Sequence, residues 1–360
     1  MSTGERTARI AGWGSYLPSR EVDNLALYEC DSIRDAFDEE RARGALRGVE
    51  DPSGLDGPEV FDQWARQVTG IETRRVLEWD GPETTETMCA EAGRRALAEA
   101  GLEAGDLDLI VAASITASDV VPNLACTVAA ELGAPSVGGF EVNAACAGFV
   151  YALAAGHAFV CSGGADRVLL VSGDALSRVT NFSDPKTAVL FADGAGAVVL
   201  EATTDGAGVL GPPALSADYA PEHLHLRGRN WVDRGAPNPT LSMGGGPHVL
   251  RQAINAMLEV ARRALEVTEL TWDDIDYVIP HQANGRITSG LERALRLKKG
   301  KVVDTIAAYG NVSASTVPIA LDEVLRGRHG PLPDPTRIVL TAVGGGYTSG
   351  AAVLEWRPPA

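Results

Sequence analysis

Three residues carry the chemistry this sequence offers: Cys146, His281 and Asn311. Cys146 stands in GGFEVNAACAGFVYALAAGHAFVCSG, residues 138–163, where an apolar run ending at Val142 gives way to Asn143, Ala144 and Ala145. After the cysteine, Phe149, Val150, Leu153, Ala154, His157 and Val160 recur at helical spacing. A cysteine at a strand-to-helix turn faces the unpaired N–H groups of the first helical turn. Those groups and the helix dipole favour a thiolate, so the expectation is a nucleophile with a lowered pKa. Ala145, Ala147 and Gly148 leave room for a substrate chain. The plainer reading is a small cysteine packed in a helix, since free cysteine is among the most buried residue types.

His281, in IPHQANGRI, follows an apolar strand and Pro280, which predicts an exposed strand end rather than a helix face. Asn311, in YGNVSASTVP, lies between Gly310 and a run of small residues, which suits a tight turn beside a cavity. His281 comes 135 residues after the cysteine and Asn311 another 30 residues on. A lone histidine is more often structural. A Cys, a His and an Asn, each at the C-terminal end of a strand in one α/β chain, is a much rarer coincidence. The same trio describes papain-like proteases, whose chain order and spacing overlap. No CGSCW-type context, secretory leader or disulfide set accompanies it here, so that reading falls.

The elements that must position these residues alternate between apolar strands and helices. In the first half, strands are expected at 7–13, 107–114, 138–143 and 167–172, and helices at 88–100, 125–132 and 147–161. Residues 187–201 read as two strands joined through Asp193-Gly194-Ala195-Gly196. Gly101 is well placed to cap the helix that ends before it. The second half repeats the order, with helices at 249–265, 287–295 and 317–325 and strands at 275–279, 301–306, 337–342 and 351–356. FADGAGAVVLEA in one half matches VGGGYTSGAAVLEW in the other. Internal duplication explains this better than two unrelated domains, giving halves at 1–203 and 204–360. Continuous apolar strands argue for α/β sheets covered on both faces. Residues 29–62 interrupt the pattern as an acidic segment, read as a solvated surface excursion with one short helix around 34–46.

Composition narrows the function classes. The chain has 360 residues, 45% of them hydrophobic, and a formal net charge of −17. No apolar run is long enough to span a bilayer. The acidic balance disfavours nucleic acid and anionic membrane as partners, because a phosphate-binding surface needs an excess of Lys and Arg. Five cysteines without CxxC or metal-ligand spacing, behind an N-terminus unlike a signal peptide, predict a cytoplasmic protein in a reduced compartment.

NAACAGF around Cys146, PHQANGRI around His281, YGNVSAST around Asn311 and GGGYTSG near the end together resemble the β-ketoacyl-acyl carrier protein synthases III of the thiolase superfamily. The resemblance covers essentially the whole chain. It implies a five-layered αβαβα thiolase-like fold, a homodimer and no metal or redox cofactor. It also implies a decarboxylative Claisen condensation. Cys146 would attack an acyl primer thioester, with the backbone N–H groups of Cys146 and Gly346 holding the oxyanion. Malonyl on acyl carrier protein would then lose CO₂, and His281 and Asn311 would donate hydrogen bonds to the enolate oxygen. An Asn cannot ionise, so it donates at any working pH.

Against the commonest bacterial pattern, three places differ. Trp64 in DQWARQVTGI matches the tryptophan that stacks on coenzyme A adenine, but the arginine expected after it is Val68, with Arg66 nearby. A second nucleotide-gripping arginine aligns with Pro185, beside Lys186. Val121, in VVPNLAC, replaces a bulky residue that reaches across the dimer to close the acyl pocket. These changes point to a specialised pathway, such as polyketide or antibiotic biosynthesis, and weaken coenzyme A as primer carrier relative to acyl carrier protein. Asn284 and Arg286 complete the expected substrate-binding set. Arg286, Arg293, Arg296, Lys298, Lys299 and Lys301 cluster in an otherwise acidic chain, either as a solvated face or as a docking patch for an acidic carrier protein. Two other readings compete. One is a same-fold acyltransferase acting on a hydroxyl or amine without decarboxylation, which the intact Asn311 argues against. The other is a non-catalytic carrier-binding partner, which the intact trio argues against.

Overall fold

The computed structural model describes residues 6–220, 223–226, 240–244 and 247–358. Two five-stranded sheets form its frame. The first runs Thr7–Tyr16, Asp193–Thr203, Arg167–Ala175, Leu109–Ala113, Gly138–Val142, with the last three strands parallel and the others antiparallel. The second runs Tyr277–Pro280, Thr336–Gly344, Gly346–Trp356, and the last of these also pairs with Gly208–Val209 and Ala214–Ala220.

Strand periodicity decides the layers, because alternate side chains face opposite sides of a sheet. Val168 and Leu170 point inward with Ile338 and Leu340 of the second sheet, while Leu169, Val171 and Val339 point outward. Two central helices fill the space between the sheets: Gly148–Cys161 contributes Phe149 and Leu153, and Thr316–Leu325 contributes Val317 and Leu321. Thr85–Ala100 covers the outer face of the first sheet through Met88, Ala92 and Ala96. Pro247–Thr268 covers that of the second through Val260, Ala261 and Ala264. The result is the expected five layers. No helix among the described residues is long and apolar enough to cross a membrane.

The central helix Gly148–Cys161 is apolar all round because both of its faces are covered. Its small residues set how closely it approaches the first sheet. A Cβ at Gly156 would stand 2.7 Å from Leu170 Cδ2 and 3.2 Å from Leu200 Cδ1. Gly156→Val is therefore expected to destabilise the protein by about 1–3 kcal/mol through overpacking. Urea denaturation checks this, and an unchanged midpoint would show that the helix can shift away.

Four expectations change in the structure. The helix placed around 34–46 is two helices, Asp31–Ala36 and Glu39–Ala45, because Asp38 accepts a hydrogen bond from Arg41 N and starts a new one. Segment 29–62 is also more than a solvated excursion. Ile33, Ala42, Leu46, Val60 and Phe61 are buried, and Phe37 stacks edge-on against Phe61 at 5.0 Å. Residues 187–201 do not form two strands. Asp193 is held by Leu77 N and by Ser177 N and Oγ, so Asp193–Thr203 starts as one strand where a turn was expected. Residues 301–306 make only a bridge, Val302 to Val278, because Asp304 Oδ1 accepts from Ile306 N and opens the short helix Ile306–Tyr309.

Candidate active site

Two tight turns meet between the sheets. The strand Gly138–Val142 ends in a 3₁₀ turn, Ala145–Ala147, which leads into the central helix at Gly148. Ala145 has φ 48°, with its N–H held by Asn143 Oδ1 at 3.3 Å. The second half has the same construction: a 3₁₀ turn Ser313–Ser315, with Ser313 at φ 49°, leads into Thr316–Leu325. Both turns place a residue in the left-handed region that non-glycine side chains rarely adopt, a common mark of functional turns.

Cys146 lies on the first turn and is buried. Its Sγ accepts a hydrogen bond from Ser313 Oγ at 3.7 Å. Burial pushes the thiol up to about 12, Ser313 opposes this, and the Asp174 charge adds to it. The lowered pKa expected from the helix terminus is thus reversed, because removal from water outweighs the turn's N–H groups.

His281 follows the strand Tyr277–Pro280, as expected, but is 1% exposed where an exposed strand end was predicted. Its strand end lies beneath Thr316, whose Oγ1 is 2.6 Å from His281 Nδ1. Burial lowers the imidazole pKa to about 3, so the ring is neutral at working pH. Asn311 is not at the end of a regular strand. Its backbone bridges to Phe191 and bonds Leu190 O and Ala192 N, pinning it between the halves. Asn311 Oδ1 accepts from Ser313 N at 2.9 Å, which commits the amide oxygen and leaves its NH₂ as the donor for a ligand.

Ser313 is the hub. It contacts Cys146 through Oγ, Asn311 through N, and Thr316 through its carbonyl at 3.1 Å, and Thr316 reaches His281. Cys146, Asn311 and His281 are therefore joined in one hydrogen-bonded set. Ser313, Thr316 and Asp174 escaped the sequence reading, although SAST after Asn311 was visible as a run of small hydroxyl residues.

This arrangement can hold an acyl group on sulfur and present neutral donors to a neighbouring oxygen. Comparison with known proteins decides the family. The family described as 3-Oxoacyl-[acyl-carrier-protein (ACP)] synthase III matches residues 140–218, and its C-terminal counterpart matches 265–356. The chain is 38% identical to Beta-ketoacyl-[acyl-carrier-protein] synthase III of Rhodospirillum rubrum over 96% of this chain and 98% of that one. The corresponding protein of Geobacillus kaustophilus is 38% identical over 83% and 91%. The chain belongs to the β-ketoacyl-acyl carrier protein synthase III family. It is an acyltransferase. Among solved structures, the priming β-ketosynthase of the R1128 polyketide pathway superposes with a TM-score of 0.84 at 32% identity, covering 100% of this chain and 99% of that one. The synthase III of Aquifex aeolicus gives 0.80 at 34%, covering 97% and 100%.

The remaining expected residues of this synthase sit as follows. Gly346 pairs with Ala220 at the start of the last strand. The glycine against the nucleophile turn is Gly344, where a Cβ would stand 2.8 Å from Cys146 N. Trp64 lies in the helix Gly57–Thr69 and packs on Phe37 at 5.2 Å and Phe61 at 5.8 Å. Asn284 caps the helix Gly285–Leu295 and donates to Val68 O at 3.0 Å, and Arg286 donates to Gln67 O at 2.9 Å. Both residues clip that helix to Gly57–Thr69. Lys186 and Val121 are exposed. Of the basic run, Arg293, Arg296, Lys298 and Lys299 are exposed, whereas Lys301 Nζ is spent on Ile275 O.

Proposed function

We propose a division of labour for a decarboxylative Claisen condensation of an acyl primer with malonyl-acyl carrier protein, in fatty-acid or polyketide biosynthesis. Cys146 takes the primer as a thioester. Backbone N–H groups of the nucleophile turn and of the glycine segment ending at Gly346 hold the oxyanion. Malonyl thioester then loses CO₂, and His281 and Asn311 stabilise the enolate that attacks the acyl-Cys146 carbonyl. The observation that carries this reading is the hydrogen-bonded set through Ser313, which gathers the three side chains and leaves neutral donors on two of them. Thr316 Oγ1 holds His281 Nδ1 at 2.6 Å and fixes the ring; donation from Nε2 to an enolate oxygen needs the tautomer with Nδ1 bare, in which Thr316 turns its one proton from Ser313 O to Nδ1.

The partner readings extend from the same features. Trp64, Asn284, Arg286 and Lys186 mark the entrance for the pantetheine arm, with Arg293, Arg296, Lys298 and Lys299 as the face for an acidic carrier. Val120 and Val121, 91% and 85% exposed, are an apolar pair whose burial favours a homodimer. Residues 1–203 and 204–360 are read as duplicated halves, which the matched 3₁₀ turns support.

His281→Ala and Asn311→Ala are each expected to cost on the order of 10²-fold or more in CO₂ release, by analogy with removal of one oxyanion donor. Acylation of Cys146 should suffer less. Single-turnover measurement of the two half-reactions tests this, and equal loss in both would mean that the pair activates the thiol instead. Since His281 stays neutral down to about pH 3, its titration should leave no step in CO₂ release between pH 5 and 9.

A further inference from the structure

Arg74 is a buried cation to which the condensation scheme gives no task. It lies in the short strand Thr73–Arg75, which pairs with Glu21–Asp23, and only 1% of it is exposed. Its guanidinium donates to Asn24 Oδ1 at 2.7 Å, to Val189 O at 3.2 Å and to Val22 O at 3.4 Å. The charges of Asp23 and Asp62 support it through space, while those carboxylates bond Ala26 N, Asn24 Nδ2 and Arg66 instead. Desolvation lowers the guanidinium pKa to about 10, so it stays charged at neutral pH. Burying a charge without an ion pair is costly, and an apolar side chain of similar length would fill the space at less cost. What arginine adds is the set of directed bonds from its planar fork.

Those bonds reach the segment that carries Asn311. Val189 precedes Leu190, whose carbonyl accepts from Asn311 N at 2.9 Å, and Ala192 N donates to Asn311 O at 3.0 Å. Asn311 Oδ1 is held by Ser313 N, so the direction of its NH₂ follows from where this backbone is held. The stretch 72–74 also grips the turn before Asn311. Glu72 N donates to Ala307 O at 2.9 Å, and Thr73 Oγ1 donates to Ala308 O at 2.9 Å. Gly310, with φ at 68°, fits between the two: a Cβ there would stand 3.4 Å from Arg74 Cβ and 3.1 Å from Ala192 Cβ. On its other side Arg74 is held by Asn24, whose Nδ2 donates to Ile71 O at 3.0 Å and to Asp62 Oδ1 at 2.9 Å. Asp62 belongs to the helix Gly57–Thr69, which carries Trp64.

From this geometry we propose that Arg74 is the positioning residue for Asn311. Its fork ties Val189 to Asn24 and so fixes the backbone ledge, 190–192, from which Asn311 presents its amide donors. Asn24 and Asp62 hold the fork from the side of the helix that carries Trp64. The inference rests on Asn311 donating to the enolate oxygen. Cys146 stands on the other turn and meets this chain of bonds only through Ser313 Oγ. Loss of Arg74 therefore misplaces the enolate donor and leaves the acyl acceptor where it is. A misplacement of about 1 Å is enough to cost on the order of 10²-fold in rate.

The test is a double-mutant cycle of Arg74→Met with Asn311→Ala in the full chain. CO₂ release from malonyl thioester, acylation of Cys146 by intact mass and the thermal midpoint are measured on each preparation. Methionine keeps the apolar stem of arginine but none of its donors. In the wild-type background Arg74→Met is expected to slow CO₂ release about 10- to 10²-fold, with Cys146 acylation within about threefold. In the Asn311→Ala background the same substitution should cost no more than about twofold, since the group it positions is already gone. A merely structural arginine would cost the same in both backgrounds, and that result would overturn the proposal. So would unchanged CO₂ release in Arg74→Met, or acylation falling as far as CO₂ release. Arg74→Lys retains the charge but reaches fewer of the three acceptors, so a smaller loss of the same kind is expected, and it carries the cycle should the Met variant fail to fold. Wild-type CO₂ release in Asn311→Ala alone would refute the enolate reading itself, and this assignment with it.

Discussion

Cys146→Ala will show no mass gain from any acyl thioester while retaining its fold. Among the described residues the sulfur is the only thiol at the head of the central helix Gly148–Cys161, and Ser313 Oγ is its one side-chain hydrogen-bond partner. Alanine removes the atom that would form the thioester, and the remaining site has donors but nothing to acylate. The side chain is buried among small neighbours, so truncation removes little packing, and the thermal midpoint should move by only a few degrees. The other thiols are poor substitutes. Cys89 is buried with its pKa driven well up, Cys30 is half-buried in segment 29–62, and Cys126 and Cys161 are exposed. Intact-mass spectrometry after exposure to a panel of acyl donors measures the outcome. Acylation of the variant at another cysteine, at the wild-type rate, would remove Cys146 from its role.

The second large effect concerns the carrier that brings the primer. Cys146 should be acylated two to four powers of ten less efficiently by a free coenzyme A thioester than an arginine-bearing relative would manage. Carrier-bound primer should be preferred. Val68 and Pro185 stand where two cations would pair with nucleotide phosphates, each such charge-assisted contact contributing roughly 1.5–3 kcal/mol. The nearest replacement is already committed. Arg66 is bound to Asp62 at 2.9 Å and to Glu72 at 2.8 Å, and a phosphate would have to displace both carboxylates. Lys186 is exposed and remains the one cation of the pair that is open. Trp64 has also gained Phe37, a ring from the acidic segment, at 5.2 Å, which competes for the face an adenine would use. A carrier protein needs neither contact, because its pantetheine arm has no nucleotide and its acidic surface can meet Arg293, Arg296, Lys298 and Lys299. That docking should weaken with added salt, since exposed charges are screened within about 10 Å at 0.1 M. The measurement compares acylation rates for one acyl group on both carriers, at low and high salt. Equal rates would show the substitutions to be incidental.

Residue type and periodicity along the chain determined the α/β class, most element positions and the Cys146, His281, Asn311 trio, while the five layers followed from the resemblance of four motifs to a known family. They do so because strand and helix periods are local and because a nucleophile and its donors must be particular residue types. Tertiary structure decided the rest. Burial reversed the expected acidity of Cys146 and neutralised His281, because desolvation depends on what covers a group, and the residues that meet them, Ser313 at Cys146 and Thr316 at His281, come from elsewhere in the chain. Segment 29–62 reads as solvated by its charge, yet Phe37, Phe61 and Trp64 meet across it only when its helices fold back together. Asp174 lies 28 residues after Cys146 and Ser313 lies 167. Nothing in their local context marks either one, and only the meeting of the two 3₁₀ turns brings the Ser313 hydroxyl to the thiol.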